Sequence, residues 1–158
     1  MFRELTRKKK QITDEECIEI LKNEKRGVLS VLGDDEYPYG MPMNHWYNDE
    51  DGSIYFHSGK TGHRHDAIKK HDKVSFCVYN EGYRSEGEWA LNIKSVIVFG
   101  RIEVIDDLER VIDITKKLSY KFTNDDEYIE NEIRLYADKT QLLKLNIEHM
   151  CGKMVTES

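Results

Sequence analysis

The sequence predicts a mainly β domain, a barrel or curled sheet of antiparallel strands with flanking helices. Short apolar segments recur along the chain, and turn-forming residues separate most of them. These connections are too short for the crossover helices of a parallel sheet. Helical three- and four-residue spacing occurs near the start and again after residue 106. We therefore expect one β-plus-α domain over residues 1–158, in which residues 1–11 form a flexible leader.

The first helix begins at a capping box, where the Thr13 hydroxyl and the Glu16 carboxylate close the first turn. Ile18 and Leu21 form its apolar side, and the helix ends before Gly27. Five strands follow, and we place them at residues 28–32, 39–47, 53–57, 74–79 and 95–105. Two helices over residues 108–121 and 127–136 and a last strand over 142–147 complete the chain.

Composition and charge exclude several classes of function. The net charge of −6 argues against non-specific nucleic-acid binding. No apolar segment approaches the ~20 residues of a membrane-spanning helix, and the first residues lack the apolar stretch of a secretory signal. We expect a cytoplasmic protein that binds neither nucleic acid nor membrane. Three widely spaced cysteines without a Cys-x-x-Cys pair predict neither a disulfide framework nor a zinc site.

Residues 57–71 carry the strongest chemical signal, because four of the six histidines fall there beside several lysines and an arginine. A strand that ends at His57, a glycine-containing turn and a helix that begins near Gly62 form an arrangement that binds phosphate through free N–H groups. Lys60 and Arg64 flank the turn, and a guanidinium can hold phosphate through two hydrogen bonds. An ordinary surface turn with solvated charges remains the alternative.

Other chemistries fit this segment less well. His63 and His65 would point to different sides of a helix, so we expect no metal site. Ser58 follows His57, but neighbouring residues of a strand face opposite sides, which argues against a histidine-activated serine nucleophile. Because no catalytic dyad or triad stands out, we expect any reactive group to come from a bound cofactor.

Two further segments have features that suit a planar or anionic ligand. The strand through Pro42, Met43 and Asn44 is interrupted by glycine and proline, which can leave backbone groups free to meet a planar ligand. An edge strand with a bulge is the alternative interpretation. Lys94 and Ser95 open the long strand and offer a cation and a hydroxyl to an anion, or are ordinary strand-entry residues.

The order and spacing of these segments resemble the pyridoxamine 5′-phosphate oxidase-like split-barrel flavoproteins, and within them the nitroimidazole-resistance (Nim-like) branch. The resemblance runs from about Thr13 to Lys153. It rests on five segments, namely Arg26–Ser30, Pro42–Asn44, Ile54–Ser58 followed by Gly62, Lys94–Gly100 and Ile147–Lys153.

The resemblance implies an FMN-binding split β-barrel that forms a homodimer, with two flavins at the subunit interface. Pro42, Met43 and Asn44 would run along the isoalloxazine ring. The ribityl phosphate would be held by the segment from His57 to Arg64 and by the start of the long strand, with contacts from His57, Ser58, Lys60, Gly62, His63, Arg64, Lys94 and Ser95. Relatives carry a histidine that matches His57 beside the flavin, so we expect His57 to be catalytic.

The implied activity is that of an FMN-dependent oxidoreductase, which reduces a small organic substrate such as a nitroimidazole or another nitro-aromatic compound. The arginines that grip pyridoxine phosphate in the true oxidases have no clear counterpart, so we do not expect vitamin B6 oxidation. Relatives often place a cation directly after the turn glycine, whereas His63 precedes Arg64 here, which leaves Arg64, Lys60 or both as the phosphate anchor. The alternatives are a flavin storage or sensing module, a haem protein with His149 or His63 as axial ligand, and deazaflavin binding.

Overall fold

A computed structural model describes residues 1–157, and one antiparallel sheet of seven strands dominates this part of the chain. The strands are β1 Arg26–Leu32, β2 Pro38–Asn44, β3 Trp46–Asn48, β4 Ser53–Gly59, β5 Lys73–Tyr79, β6 Leu91–Ile105 and β7 Thr140–Glu157. The α-helices are α1 Asp14–Asn23, α2 His63–Lys70, α3 Leu108–Ser119 and α4 Asp126–Tyr136. None of these helices has the length and apolar character that crossing a membrane requires.

The strands are ordered β2-β1-β5-β6-β7-β4-β3, and the sheet curls into a split β-barrel with flanking helices. This confirms the predicted fold class. The alternative interpretation of the Pro42 segment is confirmed in its edge position, since β2 pairs with β1 at one end of the sheet, but the bulge is wrong because the β1–β2 register is unbroken. A proline is tolerated there because an edge strand leaves alternate backbone groups without a partner.

The barrel core follows from the alternation of apolar side chains along the central strands. Leu29, Phe76, Val98 and their neighbours point inward and are fully buried. The helix α1 covers one end of this core with Cys17, Ile20 and Leu21, so its buried side contains Ile20, while Ile18 is only partly buried. The capping box at its start is present in both directions, with Thr13 and Glu16 exchanging hydrogen bonds of 2.9 and 3.2 Å.

Each predicted strand differs from the observed one at a boundary; β4, for example, ends at Gly59 rather than at His57. Three differences are larger. The last strand extends to Glu157 rather than ending at residue 147, because its second half continues to pair with β6 beyond a register shift at Phe99 and Gly100. The strand β6 begins at Leu91, four residues earlier than expected. The predicted strand over 39–47 is divided in two at His45, whose side chain is completely buried and bonds to the end of α1.

Residues 1–11, for which we expect a flexible leader, contact the sheet at two points. The Phe2 ring stacks on the His149 ring, with 4.8 Å between their centroids. Gln11 forms an isolated bridge to Lys153 after one turn of 3₁₀ helix at Lys8–Lys10. The mobility of this segment stays a prediction.

Candidate functional site

The opening of the split barrel lies between the edge strand β2 and the far end of β4. The strand β3 pairs with Ser53–Tyr55 only, so in the described chain the rest of β4 has a single strand neighbour, β7. A groove of about 450 Å³ occupies this opening. Its lining residues are Arg26, Pro42, Met43, Asn44, His57, Ser58, Gly59 and Arg64.

Arg64 projects into the groove from the first turn of α2 and is half-buried. Its Nη2 donates to Ser58 Oγ at 2.7 Å, and its Nη1 lies 3.1 Å from the Met43 sulfur and 3.7 Å from the Met41 sulfur. Its Nε is buried and has no hydrogen-bond partner within residues 1–157. Burial lowers the pKa of the Arg64 guanidinium. A cation held by a hydroxyl and two weak sulfur acceptors is electrostatically incomplete, and an anion in the groove would complete it.

The helix that carries Arg64 begins directly after Gly62, as the predicted arrangement of strand, glycine-containing turn and helix requires. Gly62 is its N-cap and adopts a φ of +115°, in the range that favours glycine over residues with a side chain. Within the described residues, no side chain caps this N-terminus, and the first backbone bond of the helix runs from Asp66 N–H to Gly62 O. The preceding N–H groups and the positive end of the helix dipole are therefore available to an anion.

His57 occupies the same end of β4, and its side chain lies on the opposite face from that of Ser58. Part of the His57 side chain remains open to solvent whereas Ser58 is buried, which agrees with the argument against a Ser58–His57 nucleophile. Partial burial, followed by the positive charge of Arg64, lowers the pKa of His57 from its ordinary value of 6.5. The imidazole is consequently neutral at pH 7, when it offers one donor and one acceptor nitrogen.

The single chain brings together six of the predicted site residues, namely Pro42, Met43, Asn44, His57, Ser58 and Arg64. Gly62 supports them as the N-cap of α2. The sequence analysis missed Arg26, which begins β1 opposite Asn44 and lines the groove, although an arginine at a strand start beside the predicted edge strand was a usable signal.

The other predicted site residues are engaged elsewhere in the described chain. Lys60 Nζ donates to the Asp138 carbonyl oxygen at 2.7 Å, and the His63 ring stacks on the Tyr39 ring with 4.2 Å between centroids. Lys94 Nζ forms an ion pair with Glu16 at 2.8 Å. Ser95 lies on β6 opposite both Tyr79 and Lys153, away from the groove of its own chain.

The groove suits a planar ligand that carries one phosphate. Arg64, Ser58 and the start of α2 form a polar cradle for an anion at one end. The open edge of β2 at Pro42–Asn44 presents backbone groups along its side. The buried, unpartnered Arg64 Nε is the observation on which this fit depends. The residues present therefore fit the FMN that the family resemblance implies.

Solved structures with the same fold include several from bacteria. A proposed 5-nitroimidazole antibiotic resistance protein from Bacteroides thetaiotaomicron aligns with a TM-score of 0.76 and 22% identity, over 93% of this chain and 87% of that one. A conserved hypothetical protein from Mycobacterium tuberculosis has a TM-score of 0.79 and 14% identity, over 95% and 90%. An FAD- and haem-binding protein from Mycobacterium smegmatis has a TM-score of 0.71 and 20% identity, over 92% and 73%.

These identities are low, and the structural likeness shows the shared fold. No curated protein sequence gives a significant match. The sequence profile described as pyridoxamine 5′-phosphate oxidase matches residues 13–154, which is most of the chain. The segments that produced the resemblance all lie within or at the end of this range. The chain therefore belongs to the pyridoxamine 5′-phosphate oxidase family of split-barrel proteins.

Proposed function

We propose that the protein binds FMN in the groove between β2 and β4 and acts as an oxidoreductase toward a small organic substrate. The observation that carries the proposal is Arg64, a half-buried cation whose partners are a hydroxyl and two sulfurs at an uncapped helix N-terminus. Structures of this fold include an FAD-binding protein and a protein that binds FAD and haem, which supports a flavin in general.

The polar cradle formed by Arg64, Ser58 and the start of α2 suits a single phosphate group. Arg64 lies in the first turn of α2, and its Nη2 already donates to Ser58 Oγ. Both would bind the ribityl phosphate, while the backbone of Pro42–Asn44 would meet the polar edge of the isoalloxazine ring. The diphosphate of FAD would bring a second anionic group, for which Lys60 is poorly placed because it is bonded to Asp138 O, and Arg26 at the start of β1 is the other cation that lines the groove. The cradle at the start of α2 suits the single phosphate of FMN, and mass spectrometry of the released flavin distinguishes FMN from FAD.

Bound FMN would supply the electron transfer, and the protein's own residues would orient the substrate and exchange a proton. His57 lines the groove and can donate or accept a proton near neutral pH. A nitro-aromatic substrate is supported by the fold shared with the Bacteroides thetaiotaomicron protein, which is a proposed 5-nitroimidazole resistance protein. A wild-type protein that binds FMN but does not reduce nitro-aromatic compounds would instead be a storage or sensing module.

A homodimer is supported by the outer face of the sheet. The register aligns one row of residues on this face across five strands, namely Pro42, Val28, Cys77, Ile97 and Cys151. Val28 is 40% exposed, and the others are at least partly exposed. A contiguous apolar row on an acidic protein suits burial against a second copy. Pro42 also borders the groove, so a partner on this face would lie beside the flavin. We expect sedimentation analysis to show a dimer.

Arg64→Ala tests the proposed cofactor site, with Lys60→Ala as the matched control. Losing a charge-assisted hydrogen bond of about 1.5–3 kcal/mol should weaken FMN binding about 10- to 100-fold. Lys60→Ala should bind FMN like the wild type, because Lys60 Nζ bonds to Asp138 O instead. Fluorescence titration of apoprotein with FMN measures both.

The thermal midpoints of the two variants provide the folding control. Arg64 has no carboxylate partner within residues 1–157, so its removal should not lower the midpoint. Equal FMN affinity in wild type and Arg64→Ala would remove Arg64 from the phosphate site. A loss confined to Lys60→Ala would move the anchor to that lysine.

A further inference from the structure

We propose that a second cavity, which shares His57 with the flavin groove, binds the substrate, and that this substrate is an uncharged or cationic molecule of one or two rings. The inference rests on the proposed flavoprotein function and adds the position and chemical class of the substrate. The cavity has a volume of about 320 Å³. Its lining residues are His57, Ile112, Thr115, Ser119, Tyr128, Ile129, Glu132, Ile133, Tyr136, Ala137 and Thr140.

The two helices that follow the long strand build this cavity. Facing residues of α3 and α4 form most of its wall, and Thr140 at the start of β7 closes one side. The helix α3 packs on the part of the sheet at which β4 pairs with β7, where His57 lies opposite Leu142, and α4 packs against α3. The cavity and the flavin groove thus share His57 as a lining residue, so a ligand in each would lie beside the same histidine.

The wall of the cavity suits an aromatic ring. Ile112, Ile129 and Ile133 supply aliphatic surface, and the rings of Tyr128 and Tyr136 add flat surface at its rim. The volume lies at the lower end of the range for small-molecule pockets, which limits the occupant to one or two rings.

Thr115 adds a polar group that the fold itself does not use. Its Oγ1 is buried and has no hydrogen-bond partner within residues 1–157. By contrast, the neighbouring hydroxyls of Ser119 and Thr140 donate to backbone carbonyls of their own turns. A buried hydroxyl without a partner costs stability, and a ligand with a polar substituent would satisfy it. A nitro or carbonyl oxygen could accept the Thr115 O–H bond.

The charge of the lining selects against anions. Among the described residues, the lining set contains one carboxylate, Glu132, and neither a lysine nor an arginine. A phosphorylated substrate such as a pyridoxine phosphate would meet a negative charge without a cation to offset it. The cavity therefore favours uncharged or cationic ring compounds.

Pocket-filling variants of the FMN-loaded protein test the position of the site. Ile133→Trp should weaken binding of 2-methyl-5-nitroimidazole and 4-nitrobenzyl alcohol at least tenfold by calorimetry, because the larger ring occupies the cavity. Leu135→Trp is the matched control, since Leu135 lies on the same helix, is 48% exposed and does not line the cavity. Both variants should retain wild-type FMN affinity.

Conservative changes at Thr115 test the polar contact. Thr115→Val keeps the shape and removes the hydroxyl, so affinity for both nitro compounds should fall about 3- to 10-fold, as expected for one hydrogen bond. Thr115→Ser, which keeps the hydroxyl, should bind both nitro compounds with wild-type affinity. The thermal midpoint of Thr115→Val should be unchanged or higher, because the hydroxyl has no partner to lose.

Pyridoxal 5′-phosphate serves as the anionic probe and should bind more weakly than either nitro compound. Tighter binding of this phosphate, equal nitro-compound affinity in wild type and Ile133→Trp, or no binding of either nitro compound would overturn the inference. The same titrations on protein without FMN separate the two proposals. Failure of the protein to bind FMN contradicts the flavoprotein function. In that case, a weaker affinity of the Ile133→Trp apoprotein for the nitro compounds still shows that the cavity binds them.

Discussion

His57 lies where the proposed cofactor and substrate sites meet. It lines the groove beside Arg64 and the second cavity beside α3 and α4. Burial and the Arg64 charge lower its pKa below the ordinary 6.5, so the neutral imidazole predominates at pH 7. A proton donor with this property works best in mildly acidic solution, and its donating form disappears as the pH rises through the lowered pKa.

The variant His57→Gln tests this role. Without general acid catalysis, kcat for nitro-compound reduction should fall about 10²-fold, while FMN affinity changes little because Arg64 and Ser58 remain. The wild-type rate should fall as the pH rises through a midpoint below 6.5, and the variant should lose that dependence. Steady-state kinetics of wild type and variant, measured from below to above pH 6.5, test this expectation. An unchanged pH profile in the variant would show that another group donates the proton.

Local sequence was sufficient to predict the backbone around two candidate site residues. Gly62 and Arg64 follow from a strand, a turn and a helix within one short segment, and the structure places them as expected. The position of the Lys60 side chain does not follow from local sequence, because it reaches Asp138, 78 residues further along the chain. Thr115 was missed for a similar reason, since only the packing of α3 against α4 reveals that its hydroxyl has no partner.

At the scale of elements, His45 joins three parts of the fold. It lies between β2 and β3, and its Nε2–H donates to Leu21 O near the end of α1 at 2.7 Å. Lys121, just after α3, donates to His45 O at 2.9 Å and to Leu21 O at 3.3 Å. Sequence patterns did not predict the strand break here, because the hydrophobic neighbours of His45 continue the strand pattern and its bonding partners are distant in sequence.

Acid should loosen this junction. Burial, with the nearby Lys121 charge, lowers the pKa of His45 to about 3 from 6.5. The unfolded chain therefore binds a proton that the folded chain rejects, and stability falls as the pH decreases from 6.5 toward 3. The limiting slope is about 1.4 kcal/mol per pH unit. Urea unfolding of wild type and His45→Gln should show this slope reduced in the variant, whose amide can still donate to Leu21 O.

Lys121 provides an internal control for that experiment. Burial lowers its pKa to about 8 from 10.5, so its contribution to stability grows as the pH rises from 8 to 10.5. His45→Gln should leave this alkaline change in place. If the acid slope persists in His45→Gln, it arises from groups other than His45.

For the whole molecule, the sequence predicted the architecture more reliably than the extent of its longest strands. The alternation of apolar residues and short turns is a local signal, and it indicated an antiparallel split barrel with flanking helices. The second half of β7 carries charged residues and Gly152 among apolar ones, so its pattern is weak. Pairing with β6, rather than local propensity, extends it to Glu157. The same pairing places Cys151 beside Ile97 and so adds the last member to the apolar outer row on which the proposed homodimer depends.

The absorbance spectrum of the purified protein, with mass spectrometry of the chromophore released by heat, tests the central claim most directly. We expect a flavin spectrum and FMN at about one molecule per chain, since residues 1–157 form one groove that contains Arg64, whose Nε has no partner among them. A haem spectrum, or a colourless protein that does not bind added FMN, would contradict the account and leave the Arg64 groove without its proposed ligand.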